Sequence, residues 1–117
     1  MDSILTSVKK LLGIAEEYTQ FDQDIIMHIN SVFLTLLELG VGPADGFAIE
    51  DATTEWSEFI SDNTVLLNAV KSYMYLKVRM LFDPSLTSSV TDLMKEEVKE
   101  FEWRMNVMVD PADTFKS

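Results

Sequence analysis

The stretch Asn68 to Pro84, NAVKSYMYLKVRMLFDP, constrains the fold more than any other part of the chain. Set roughly 100° apart on a helical wheel, Leu76, Met80, Tyr73, Val70, Leu81, Met74 and Val78 cover about half the circumference. One neighbour cannot cover an arc that wide, so the segment calls for partners on several sides. Its polar remainder is narrow, comprising Asn68, Ser72, Arg79 and Lys71. Lys77 falls inside the apolar arc and must either snorkel to water or meet an acid. The expectation is an all-α fold, a small bundle of about four helices organised around this segment.

The other helices follow from periodicity and punctuation. Ile4, Leu5, Val8, Leu11 and Leu12 line one side of a first helix with Lys9 and Lys10 opposite, Ser3 as cap and Gly13 as stop. It is too short to stand unless docked. Asp22 is placed to cap a second helix running to about Leu39, with Ile25, Ile26, Ile29, Val32, Phe33, Leu36 and Leu37 on its core side and Gly40 at its end. Asp62 or Asn63 starts the broad-faced helix, which stops at Asp83-Pro84 because proline disfavours helical geometry in the preceding residue. A last helix begins near Ser88 or Ser89, where Ser89 and Asp92 form a weakened capping box. Its Val90, Met94, Val98, Phe101, Met105 and Met108 make a stripe about one helix wide.

Between the second and the broad-faced helix, residues 40–61 break helical periodicity. A structureless loop of that length is unusual in a compact domain, so something local has to order it. Thr53 or Thr54 could cap a single turn carrying Trp56, Phe59 and Ile60, while Phe47 and Ile49 alternate like a very short strand. The whole chain, 1–117, reads as a single helical domain, with 40–61 as an interaction loop and 110–117 as a flexible tail.

Composition narrows the function classes. A 117-residue chain with 47% hydrophobic content has the means for one proper core. The start, MDSILTSVKKLLG, has too short an apolar stretch and the wrong order of charges for a signal peptide. No apolar run approaches a membrane span, so the chain reads as soluble and unexported. Residues 1–62 hold twelve acids and two bases, whereas residues 63–117 hold eight and seven. Net charge is −11, which argues against gripping nucleic acid through a basic patch and serves solubility in general.

No pattern announces a reaction, and the chain is expected not to be an enzyme. Without cysteine there is no thiolate nucleophile or zinc knuckle, no serine sits in a nucleophile elbow, and the glycines match no phosphate-binding spacing. His28, the single imidazole, lies at the polar edge of its helix beside Ser31 and Thr35 and reads as solvated or capping rather than catalytic. Acids crowd the middle loop (Glu50, Asp51, Glu55, Glu58) and the last helix (Glu96, Glu97, Glu100, Glu102). Neither group has the alternating ligands and glycine of a calcium loop, and Ile25 stands where a Glu-x-x-His pair would need its glutamate. No cofactor and no metal are expected; Lys95, Lys99 and Arg104 make the helical cluster an ordinary charged face.

The aromatic residues are the sharper clue. Phe47, Trp56 and Phe59 in the loop, Phe115 in the tail, and Trp103, roughly 170° from the centre of the last helix's stripe, either mark a contact surface or are covered by the loop folding back. Trp103 shares its outer side with Lys99, Asn106 and Val107. The candidate interface is therefore Phe47, Trp56, Phe59, Lys77, Trp103, Val107 and Phe115, with Trp56 and Phe59 as partner contacts and Trp103 as a contact between copies.

DIIMHINSVFLTLLELGVGP (Asp24 to Pro43), AVKSYMYLKVRMLFDP (Ala69 to Pro84) and EFEWRMN (Glu100 to Asn106), with the amphipathic opening ILTSVKKLLG, together resemble the tailed-phage head-tail connector family, the portal adaptors. The resemblance spans nearly the whole chain but rests on packing segments rather than a catalytic signature. It implies a structural virion protein at the head-tail junction, assembled in the host cytoplasm as a homo-oligomeric ring beneath the portal protein. Such a ring extends the DNA exit channel, lets duplex DNA pass without sequence-specific binding, and receives a tail-side completion protein, with no cofactor and no membrane. The alternative is an acidic DNA mimic that inhibits a host nucleic-acid enzyme, although a mimic would carry few outward aromatics.

Overall fold

The computed structural model describes residues 3–83 and 86–109. Five helices lie among them: α1 (Ile4–Leu11), α2 (Asp22–Glu38), the single turn α3 (Trp56–Phe59), α4 (Thr64–Phe82) and α5 (Ser88–Val109). The principal extents are 49 × 35 × 21 Å, a flattened and elongated bundle.

The broad face of α4 organises the core as its sequence demands. Asn63 opens the helix, its Oδ1 accepting from the Leu66 N–H at 3.0 Å. The α1, α2 and α5 helices all pack against it, and Val70, Tyr73, Met74 and Val78 are wholly buried between them. Leu81, near the C-terminal end of α4, stays exposed. Helix α1 holds its shape because it is docked: Ile4, Leu5 and Val8 are buried, and Ser3 Oγ accepts from the Thr6 N–H at 3.1 Å.

The predicted caps of α2 and α5 fall elsewhere. Asp22 lies inside α2 and caps nothing, because its carboxylate is taken by Lys9, 2.8 Å from Nζ. Thr87 caps α5 in place of Ser88 or Ser89, its Oγ1 accepting from the Val90 N–H at 3.3 Å. The end of α2 is where the sequence puts it. Gly40 takes φ +81°, and the Gly40 and Val41 N–H groups bond the carbonyls of Leu37 and Leu36 at 3.0 and 2.9 Å, which satisfies the orphaned helix terminus.

The 40–61 segment is ordered by one clamp from α2 and three local devices. The Asn30 side chain clamps Ile49 at both backbone groups, accepting from its N–H at 2.8 Å and donating to its carbonyl at 3.0 Å. This clamp replaces the short strand anticipated at Phe47 and Ile49; among the described residues an isolated antiparallel bridge joins Ser3 to Glu55 instead, beside an Ile4 N–H to Thr54 carbonyl bond of 2.9 Å. Glu55 and Glu58 close a reciprocal capping box on α3, a role expected of Thr53 or Thr54. Asp51 accepts from the Thr53 N–H and hydroxyl, and these bonds hold its carboxyl below the usual range. Finally, the backbone of Gly42 lies flat on Phe59; a Cβ there would meet the ring at 2.4 Å.

Candidate interface

Phe33 of α2 is the hub that receives the loop aromatics. Its ring lies 5.0 Å from Phe47, 4.7 Å from Phe59 and 6.4 Å from Trp56, and Phe47 meets Phe59 at 5.2 Å. The Trp56 indole N–H donates to Ser7 Oγ at 2.8 Å, so burial leaves no unmet donor. Trp56 and Phe59 are each only 5% exposed and Phe47 is half-buried. Of the two readings open for the loop, folding back is the one realised. The expectation that Trp56 and Phe59 serve as partner contacts is corrected: α2 supplies a core for them, and they have little surface left to offer a partner.

Helix α5 is built differently. It lies along α4 through Met94, Val98 and Met105, with Phe101 half-buried beside them, and Tyr73 Oη donates to Glu102 Oε2 at 2.7 Å across the seam. Burial, then the Glu102 carboxylate, push the Tyr73 phenol above the ordinary tyrosine range. That seam fixes the rotation of α5 and turns Trp103 away from α4, leaving it 68% exposed. Val107 is half-buried, while Val90 and Met108, at the two ends of the stripe, are exposed. Near its C-terminal end α5 touches the end of α2, where Asn106 Nδ2 donates to the Leu39 carbonyl at 3.3 Å.

Lys77 meets neither water alone nor an acid; its ammonium stands 5.9 Å from the Tyr73 ring centroid. Phe115 lies outside the described residues. Of the predicted set, Phe47, Trp56 and Phe59 fall in the loop cluster around Phe33, Trp103 and Val107 on α5, and Lys77 on α4.

Two features went unread in the sequence. Lys9, assigned to the polar side of α1, is 2% exposed: Nζ donates to the carbonyls of Glu16 and Tyr18 at 2.9 and 2.8 Å and pairs with Asp22, pinning the α1–α2 connection. Nothing in the local pattern distinguishes it from Lys10. Met27 and Leu34, 65% and 61% exposed, form an outward pair on α2. Their seven-residue spacing opposite the core side was the available signal.

A cleft of about 600 Å³ opens between Leu11, Leu12, Phe21, His28, Arg79 and Phe82. Arg79 is committed within the chain, donating to the Tyr75 hydroxyl with its guanidinium 5.8 Å from that ring. Among the described residues, no group of three His, Cys, Asp or Glu is placed to hold a metal ion, and no helix is long and apolar enough to cross a membrane.

Neither the curated proteins nor the solved structures compared with the chain match it. The family model described as phage connector protein matches residues 4–112, which takes in every helix from α1 to α5, and so the chain belongs to the phage connector protein family.

Proposed function

We propose that this connector works at the phage head-tail junction as a homo-oligomeric ring, docked beneath the portal protein, extending the DNA exit channel and receiving a tail-side completion protein. Family membership supports a structural role in joining head to tail. The observation that carries the ring is Trp103, an indole left 68% exposed on a helix whose other side is already satisfied. Exposed Met27, Leu34 and Leu93 add apolar surface that a single copy leaves in water. Contacts between unlike faces of identical chains close into rings when the rotation permits. The same surplus counts against a DNA mimic, which has no use for outward indoles.

The net charge of −11 suits a conduit, because acids along a bore repel the phosphate backbone and keep the duplex from sticking. Electron microscopy of the protein mixed with its portal tests the reading. An annular density stacked on the portal is the expected result; portal particles without added density overturn it.

A further inference from the structure

Helices α4 and α5 run antiparallel: Tyr73 meets Glu102, while Asn63 and Leu66 stand with Met108 and Val109. A groove of about 360 Å³ opens between the two helices beside the end of α1. Leu11, Leu76 and Phe101 give it an apolar wall, joined by Ser72 and Tyr75. Val65 stands seven residues before Ser72 and Met108 seven after Phe101, so each lies on the groove side of its helix, and both are exposed. The charged residues lining the groove are Lys71 and Glu97. Beyond its place over the Trp56 ring, Lys71 has no acid partner within the described chain, and Glu97 has no base. Glu100, one turn further along α5, is neutralised by Arg104 at 2.6 Å. The segment after α5 carries a matching pattern. Pro111 disfavours helical geometry at Asp110, and Asp113, Phe115 and Lys116 then present an acid, a ring and a base in that order.

We infer that residues 110–117 turn back along the α4–α5 groove of their own chain, seating the Phe115 ring against Leu11, Leu76 and Phe101, with Asp113 toward Lys71 and Lys116 toward Glu97. The assignment does not depend on the ring. Reach selects this groove. From Leu66, level with Val109, to Tyr75 is about 14 Å along α4. The six residues from Val109 to Phe115 span about 20 Å when extended, which is enough. The larger cleft at Phe82 lies about 24 Å from Leu66 along the same helix, beyond the ring. Charge order agrees too. Measured from the Tyr73–Glu102 contact, Lys71 and Glu97 are about 10 Å apart along the helices, with Lys71 nearer the end where the segment enters. Asp113 and Lys116 are also about 10 Å apart in extended chain and arrive in the complementary order. Pro111 and Ala112 are left to cover Val65 and Met108, while Asp110 is too close to Val109 to enter the groove.

The chain has no cysteine, so introduced thiols report without background. Full-length protein carrying Ser72→Cys and Thr114→Cys is expected to close an intramolecular disulfide on oxidation, read as a monomer of altered mobility on a non-reducing gel. Adding Phe115→Ala should slow that closure at least tenfold; an unchanged rate would mean that the ring anchors nothing and overturns the seat. Covalent multimers in place of the monomeric product would put a neighbour's segment in the groove and overturn the own-chain assignment. Glu97→Lys should slow closure as well, and Lys116→Glu in the same chain should restore it; equal slowing in the combined variant overturns the charge order. A second measurement needs no thiol. In the wild-type chain, nuclear Overhauser contacts are expected between the Phe115 ring and the Leu11 and Leu76 methyl groups, and ring signals at random-coil positions without those contacts overturn the docking.

Discussion

The two tryptophans mark the contrast between the halves of this molecule. Trp56 stands in an irregular segment and is buried; Trp103 stands in the longest helix and is exposed. Regular structure does not decide burial. Around Trp56, α1 supplies a hydroxyl acceptor, α2 supplies Phe33 and α4 supplies Lys71, so three elements converge on one indole. Helix α5 lies chiefly against α4, and a helix with one main neighbour buries one stripe only. The number of elements surrounding a position, rather than local pattern, determines whether an aromatic belongs to the core or to the surface.

The sharpest way to break that contrast is Trp56→Ala. Truncation removes a buried indole from contact with Phe33 and leaves a cavity beneath the loop, so a loss of about 3–5 kcal/mol in denaturant-monitored unfolding is expected. A loss under about 1 kcal/mol would mean that the loop is not part of the core. Lys9→Met comes next. It leaves the Glu16 and Tyr18 carbonyls without their donor and Asp22 without its counter-charge; because Asp22 keeps partial access to water, the cost should be about 2–3 kcal/mol.

Tyr73→Phe probes the seam that orients α5 and should cost about 1–2 kcal/mol. Its signature is the pH profile. The folded state holds the phenolic proton more tightly than the unfolded chain, so this stabilisation is whole below about pH 10, the unfolded value, and is lost as pH rises beyond it. Unfolding free energy measured through the alkaline range should therefore fall in the wild type and flatten in the variant. The smallest effect belongs to Trp103→Ala, expected within about 0.5 kcal/mol of the wild type for the isolated chain. A large drop in its melting temperature would show that Trp103 is an intramolecular strut and would erase the contrast.

Much of the fold was legible because it is written in local chemistry. The caps at Ser3 and Asn63, the stops at Gly13 and Gly40, and the wide arc of α4 each depend on residues within a turn or two. The misplaced caps of α2, α3 and α5 share one cause: several residues in each stretch could cap, and Asp22 was claimed by a lysine thirteen positions earlier. Of the candidate interface residues, Trp103 was readable as exposed from its angle on one helix. Trp56 and Phe59 were not, since their burial depends on Phe33, more than twenty positions away.

By itself the sequence determined an all-α bundle, a central helix needing several partners, and a surplus of acid in the first half, because periodicity, capping and charge are properties of neighbouring residues. Only the tertiary structure decided which aromatics remain in water and that Lys9 is buried rather than solvated. Those outcomes depend on which elements converge on α4 and from which side, and that convergence joins residues too far apart in the chain for a local pattern to encode.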